Sequence, residues 1–331
     1  MSLELRHFDD INAAQNADIE AFVDSQNTGH PFQFPQWGDS SCTAAILRID
    51  GHIRWYGIFN VLAPLGRKFP FMRAWGTNRG PVCDDQTLWL EAAEQLANIL
   101  LHDRVTYLEV SPDWLCTSVD AHSAFSNKPV WGVSGQPRAS LRLDLTRDED
   151  EIYGDFRKNS RYEVRRAERS GLQVSVATTD ADREGFLELY REMASRKGFS
   201  PDPIEHVRRI LCWIATAKAR GALLVARAEG VLCGGAVIVR AGRRCWYVWG
   251  ASGPRQSAAG HILQWKALQW AKVLGCVEYD FGGYTPGATS GPAWFKAGFG
   301  GTAVHFIPPY RRVIRPEAYR LVHLASKIRR S

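Results

Sequence analysis

One pattern occurs twice in this chain and limits its possible folds more than any other feature. In "ILRIDGHIRWYGIFNVL" (46–62) two apolar runs flank Asp50-Gly51, and in "LLVARAEGVLCGGAVIVR" (223–240) two more flank Glu229-Gly230. An acidic residue followed by glycine between β-forming runs is a strong hairpin signal. Each hairpin is followed by a helical pattern and then a strand. In the first half these are "LWLEAAEQLANILLHD" (88–103) and "VTYLEVSP" (105–112). In the second they are "HILQWKALQWAKVLG" (261–275) and "CVEYDFGG" (276–283). Hairpin, helix and strand, repeated roughly 170–180 residues apart, predict two related domains in tandem. Each should be α/β in the α+β sense, a mixed and mostly antiparallel sheet flanked by helices. The length of 331 residues agrees, being more than one core usually serves.

A boundary is expected near residue 145. "ASLRLDLTRDEDEI" (139–152) reads as a strand and then a helix start, with Thr146 as N-cap and acids in the first turn. The first domain is therefore expected over 1–145 and the second over 146–311, with a C-terminal helix in 312–331 packing back on the first. A long helical pattern runs from about 147 to 170, ended by Gly171. Residues 182–197 and 203–220 read as two more helices. No heptad pattern is long enough for a coiled-coil arm.

Several function classes drop out. No apolar run of about 18 residues predicts a transmembrane helix, and "MSLELRHFDDINAAQ" lacks the apolar stretch of a signal peptide. The seven cysteines are odd in number and form no Cys-x-x-Cys pair, which fits reduced, mostly buried thiols in the cytoplasm. No zinc or other metal site is expected, and no cofactor. Phosphate-binding glycine loops ending in Lys-Ser/Thr and Gly-x-Ser-x-Gly elbows are absent. The net charge is +6, and residues 311–331 account for all of it, with seven basic residues and one acid, Glu317. Such a tail suits either a solvated helix or contact with anionic lipid or RNA.

"YGDFRKNSRYEVRRAERSG" (153–171) is the most unusual helical segment. Tyr153, Phe156, Ser160, Val164 and Ala167 fall within about 60° at the ideal helical twist, and this face should be buried. Arg157, Arg161, Arg165 and Arg169 recur every four residues beside it, with Lys158 and Arg166 close by. That row is either a solvated face or a ladder for phosphates, which arginine binds bidentately. Six bases against three acids favour the ladder, because residues 1–310 balance overall.

The candidate chemistry lies in 276–301. A strand ending in Asp280 leads through Gly282-Gly283 and a Thr-, Pro- and Gly-rich loop to "GPAWFKAGFGG" (291–301). Asp280 would cap a turn, pair with an arginine, or position an amine. Lys296 follows Trp294-Phe295, so its stem should be partly covered. It would be a snorkelling surface lysine, or a cation held near a reacting carbonyl to stabilise an oxyanion. The first domain has no counterpart after "VTYLEVSP", which marks this segment as an addition in the second. Its glycines read as places where backbone approaches a substrate.

"FRKNSRYEVRRAERSGLQV" (156–174), followed by "YDFGG…PAWFKAGFGG" (279–301), resembles the Fem-type (FemABX) aminoacyltransferases. The likeness covers about 145–315 well, and reaches the first domain through "HPFQFPQWG" (30–38). It implies two tandem GNAT-like domains and non-ribosomal peptide-bond formation. The donor would be aminoacyl-tRNA and the acceptor an amine on a peptidoglycan precursor or related cell-envelope molecule. By this resemblance the catalytic residues are Lys296, stabilising charge on the ester carbonyl, Phe295, shaping the site, and Asp280. Arg157, Lys158, Arg161 and Arg165 would bind phosphates, with Tyr284, Trp294 and Trp37 completing the substrate-binding set. Members that bind the nucleotide-linked precursor carry a lysine soon after the early tryptophan. "WGDSSCTAA" (37–45) has none, so the acceptor stays open. The enzyme would work in the cytoplasm, with peripheral contact at the inner membrane through its basic tail.

Two other classes compete. One is a GNAT-like N-acyltransferase using acyl-CoA in exopolysaccharide or surface biosynthesis, with "GPRQSAAGHILQW" (253–265) holding the pyrophosphate. The other is a binding module of that pathway which has lost the reaction.

Overall fold

The computed structural model describes residues 2–64, 72–117, 131–254 and 257–328. Its first elements are β1 (Ser2–His7), α1 (Ala13–Ser25), β2 (Cys42–Ile49), β3 (His52–Leu62), β4 (Arg73–Gly76), α2 (Gln86–His102), β5 (Val105–Val110) and β6 (Trp131–Val133). There follow β7 (Ala139–Asp144), α3 (Glu149–Gly154), α4 (Lys158–Arg169), β8 (Gln173–Val176), α5 (Asp180–Lys197) and α6 (Ile204–Thr216). Next come β9 (Gly221–Ala228), β10 (Val231–Ala241), β11 (Arg244–Ser252), α7 (Ser257–Val273), β12 (Glu278–Gly283) and α8 (Gly291–Ala297). The chain closes with β13 (Thr302–His305), β14 (Tyr310–Val313) and α9 (Pro316–Ile328).

Two seven-stranded sheets result, ordered β1-β2-β3-β4-β5-β14-β6 and β8-β9-β10-β11-β12-β7-β13. They match position by position through the first five strands. Both hairpins turn as their sequences require. Asp50 and Gly51 have φ of 51° and 82°, and Glu229 and Gly230 have 51° and 80°. Two consecutive left-handed residues bend the chain with the twist of the paired strands, and glycine in the second place takes that conformation without strain. β4 runs parallel to β5, and β11 to β12. In each case a helix, α2 or α7, carries the chain back across the sheet.

Each helix buries its apolar stripe on its own sheet. In the first unit Trp89, Leu96 and Leu100 of α2 pack with Trp55, Phe59 and Leu108. Asp85 caps α2 by accepting from the N–H groups of Thr87 and Leu88. In the second unit Ile262, Leu263 and Leu268 of α7 pack with Leu224, Ile238 and Phe281. Each fully buried side chain of this size contributes about 1.5–3 kcal/mol, so these helix–sheet layers hold the two folds together.

The first unit comprises Met1–Arg138 with His305–Ser331, and the second Ala139–Val304. The division thus falls at 138/139 rather than 145/146, because β7 pairs with β12 in the second sheet. β14 lies between β5 and β6 in the first sheet, so the chain returns to the first unit from His305 and not from 312. Among the described residues the longest helix has 18 residues, and none forms an arm.

The single helix expected over 147–170 is two helices, α3 and α4. Phe156 turns into the core, 5.5 Å from the Trp265 ring and 5.1 Å from that of Phe299. Arg157 is extended, with ψ of 148°, and its N–H bonds to the Gly298 carbonyl at 2.8 Å. Packing outweighs helical periodicity here. Asp148, not Thr146, occupies the cap of α3, and the Glu151 carboxylate accepts from its N–H at 3.3 Å. Thr146 instead donates its hydroxyl to Asp144 at 2.7 Å.

Candidate active site

The site is built on the end of β12. Tyr279 and Phe281 alternate into the core, which places Glu278 and Asp280 on the opposite face. β7 alternates likewise, with Leu141 and Leu143 in the core and Ser140 and Arg142 on the polar face. The antiparallel register sets Asp280 directly opposite Arg142. Asp280 is fully buried and accepts three hydrogen bonds: from Arg142 Nε at 3.0 Å, from the Gly282 N–H at 2.8 Å and from the Ser140 hydroxyl. An unpaired carboxylate there would cost several kcal/mol. Arg142 also reaches Glu278 at 3.4 Å, and Glu278 pairs in turn with Arg244.

Just past Asp280 the pairing with β7 slips, and Gly282 takes φ of +74°. This bulge turns the chain out of the ladder and re-aims the groups beyond it. The Gly283 carbonyl accepts from Lys296 Nζ at 2.8 Å. Lys296 sits on α8, a short helix with Pro292 in its first turn. Phe295, next to it, packs edge-on to His261 and Phe299, with ring centroids 5.0 and 5.2 Å away. That packing orients α8 and leaves Lys296 half-buried. Burial lowers the lysine pKa to about 8, while the negative charge of Asp280 opposes the shift. An ammonium has three donors, so the Gly283 carbonyl occupies one and two are open to a ligand.

The glycines after Lys296 serve the chain itself. A Cβ at Gly298 would press into the Ser160 hydroxyl of α4, and one at Gly301 would lie 2.6 Å from the Arg142 carbonyl. The expectation that they mark approach to a substrate is corrected accordingly: they let α4 and β7 close around α8.

The structure brings part of the basic helix to this place. Arg157, exposed at the start of α4, lies over the Trp294 ring at 5.7 Å. Lys158 follows it, also exposed, and no acidic residue lies in that first turn. Arg161 turns back and donates to the carbonyls of Gly154, at 2.5 Å, and Phe156. Arg165 lies exposed, 6.0 Å over the Tyr153 ring. The ladder expected from the four-residue spacing therefore does not form, because Arg157 precedes the helix and Arg161 caps the break. Tyr284 is half-buried against the core of the second unit, and its N–H bonds to the Ala139 carbonyl at 2.9 Å. Trp37 belongs to the first unit, stacked on Phe32 at 5.2 Å. Arg255 and Gln256, assigned to a pyrophosphate loop in the acyl-CoA reading, lie outside the described residues.

Ser140, Arg142 and His261 escaped the sequence reading. The alternation in "ASLRLDL" placed Ser140 and Arg142 on one polar face, and that was the available signal. Among the described residues no cluster of His, Cys, Asp and Glu could hold a metal ion, and no helix is long and apolar enough to cross a membrane.

Residues 154–296 match the family described as the acetyltransferase (GNAT) domain. The UDP-N-acetylmuramoylpentapeptide-lysine N(6)-alanyltransferase of Weissella viridescens is 28% identical over 189 residues, 56% of each chain, so the match spans about half of that relative. A lipid II:glycine glycyltransferase of Staphylococcus aureus (strain MRSA252) is 22% identical, covering 81% of this chain and 83% of its own. The crystal structure of FemX superposes with a TM-score of 0.79 at 18% identity, over 96% of this chain and 99% of that one. Fold and matches together define a tandem GNAT-like protein. Within that class, the chain is a homologue of the Fem-type transferases.

Proposed function

We propose that the chain is an aminoacyltransferase that joins an amino acid, carried as the ester of aminoacyl-tRNA, to an amine on a peptidoglycan precursor or related cell-envelope acceptor. The observation that carries this reading is Lys296, a half-buried cation fixed on the Gly283 carbonyl with donors to spare. The names of the two relatives, one acting on a UDP-linked muramoylpentapeptide and one on lipid II, support the acceptor class.

The ester is already activated, so positioning and charge stabilisation suffice. The neutral amine attacks the ester carbonyl, forming the C–N bond and a tetrahedral oxyanion. Lys296 stabilises that oxyanion. The C–O bond to the ribose then breaks, and the departing oxygen takes up the proton that the amine loses. Asp280, with three donors on its carboxylate, holds the strand end and the bulge rather than taking this proton. Phe295 fixes α8. Arg157 and Lys158 place two cations at a helix N-terminus, where the helix dipole already repels them and a bound phosphate offsets that repulsion. Charged tRNA is a cytoplasmic donor, which places the reaction there.

The test is a transfer assay with total charged tRNA and either a nucleotide-linked or a lipid-linked precursor. Transfer that is lost in Lys296→Ala supports the reading. Full activity of that variant removes the assignment of Lys296, and no transfer to either acceptor removes the reaction.

A second reading is N-acyl transfer from acyl-CoA, favoured by the match to the acetyltransferase (GNAT) domain over 154–296. Acetyl-CoA with a panel of amines, run beside the tRNA assay, separates the two. Binding of a precursor without turnover of either donor would leave a binding module.

A further inference from the structure

Among the described residues α9 carries two apolar stripes, and one of them packs on the first sheet. Tyr319 and Val322 pack on Met72, Ala74 and Tyr107 of the first sheet. Tyr319 lies edge-on to Tyr107, with ring centroids 5.8 Å apart, and its hydroxyl accepts from Arg311 at 3.1 Å. The Arg311 guanidinium lies 4.2 Å over the Tyr107 ring and pairs with Glu109. These contacts fix which way α9 faces. Leu321 and Leu324 are 55% and 58% exposed. At about 100° per residue they lie about 60° apart, on the side opposite Tyr319 and Val322. A helix that only covers a sheet needs one apolar stripe, with polar residues behind it.

We propose that this outward face of α9 docks the chain on an anionic lipid surface. Single exposed leucines are ordinary, but these two form a stripe, bordered by Arg320, which pairs with Glu317 of the same face at 3.4 Å. Arg315 and Arg320 are exposed at the start and middle of the segment. The sequence from 311 to 331 holds seven bases and one acid; Arg311 and Arg312 on β14 pair with Glu109 and Glu94, which leaves five bases against Glu317. Apolar side chains on one face and basic residues beside them are the chemistry of an interfacial helix, which buries the first among acyl chains and sets the second against lipid phosphates. A second copy of this chain suits the stripe less well, since an isologous contact would bring two basic segments together. RNA would use the cations and leave the leucines in water. The inference is independent of the transferase reading, because binding is measured without turnover.

The test is sedimentation of the full chain with phospholipid vesicles, either zwitterionic or containing an anionic phospholipid. Preferential binding to anionic vesicles is expected, weakened by salt and weakened at least about tenfold by Leu321→Ser with Leu324→Ser. Arg320→Glu should weaken anionic binding on its own, which keeps the test open if the double variant unfolds. Leu101→Ser, at another exposed leucine of the same unit, should change nothing. Equal binding by the double variant, or no preference for anionic vesicles, overturns the proposal. So does a wild-type dimer that the double variant dissolves.

Discussion

Lys296 donates from Nζ to the carbonyl of Gly283 at 2.8 Å, tying α8 to the end of β12 across a sequence separation of 13. The carbonyl is presented by a bulge, and the bulge is tied down by Asp280, whose carboxylate accepts the N–H of Gly282 at 2.8 Å. A cation, a carbonyl and a buried anion thus follow one another along a short stretch of chain. Asp280 counters the burial that draws the lysine pKa down to about 8.

If Lys296 stabilises an oxyanion, Lys296→Ala should lower kcat about 10²–10³-fold, the usual effect of removing one such donor. The pH profile gives a sharper check. The lysine is cationic below its pKa and loses its charge as pH rises through about 8, so kcat should fall on that side. Lys296→Arg keeps its charge throughout this range and should lack that alkaline limb, whatever its absolute rate.

Asp280→Ala should destabilise the second unit by about 3–5 kcal/mol, because it takes from the buried Arg142 the carboxylate that Nε donates to at 3.0 Å. Asp280→Asn should cost less, since a neutral oxygen can still accept from Arg142. Urea unfolding measures both. Removing the negative charge also removes what opposes the shift at Lys296. In Asp280→Asn the alkaline limb should therefore move below about 8. An unmoved limb would mean that Asp280 acts on the scaffold alone.

The hairpins were legible because their signals are local: alternating apolar residues and a turn dipeptide that needs left-handed backbone. Both formed, at Asp50-Gly51 and Glu229-Gly230. Completion of each sheet was not legible. β7 and β14 pair with strands far along the chain, and nothing local in "ASLRLD" or "YRRV" names the partner. The partners of Asp280 were hidden for the same reason, lying 138 and 140 residues away. Phe156 shows the limit of periodicity. It fitted the buried face of one long helix, but its burial against Phe299 and Trp265 comes with a break at Arg157. The motif around Lys296 was visible as an oddity of composition, while the contacts of its glycines were not.

Those glycines make a stability prediction. Gly301 has φ of +92°, and a Cβ there would lie 2.6 Å from the Arg142 carbonyl, a backbone atom that cannot swing aside. Gly301→Ala should cost about 1–3 kcal/mol or more, from strained backbone and contact together. Gly287 has φ of +76° with open space around it, so Gly287→Ala should cost about 1 kcal/mol, from conformation alone. Equal losses at the two sites, by chemical denaturation, would show that close approach to β7 does not matter.

Arg157 and Arg161 look alike in sequence, and the structure separates them. Arg157 is exposed beside Trp294, whereas Arg161 donates to the carbonyls of Gly154 and Phe156 at the helix break. If Arg157 contacts a phosphate of the donor, Arg157→Ala should weaken tRNA binding and reduce the salt slope of log K by about 0.7–0.9. Arg161→Ala should leave that slope unchanged and instead lower the unfolding midpoint, because the carbonyls at the break lose a charged donor. Binding isotherms across salt, paired with denaturation of each variant, decide this. Identical slopes for wild type and Arg157→Ala would remove Arg157 from the phosphate contacts, and with it the functional reading of the start of α4.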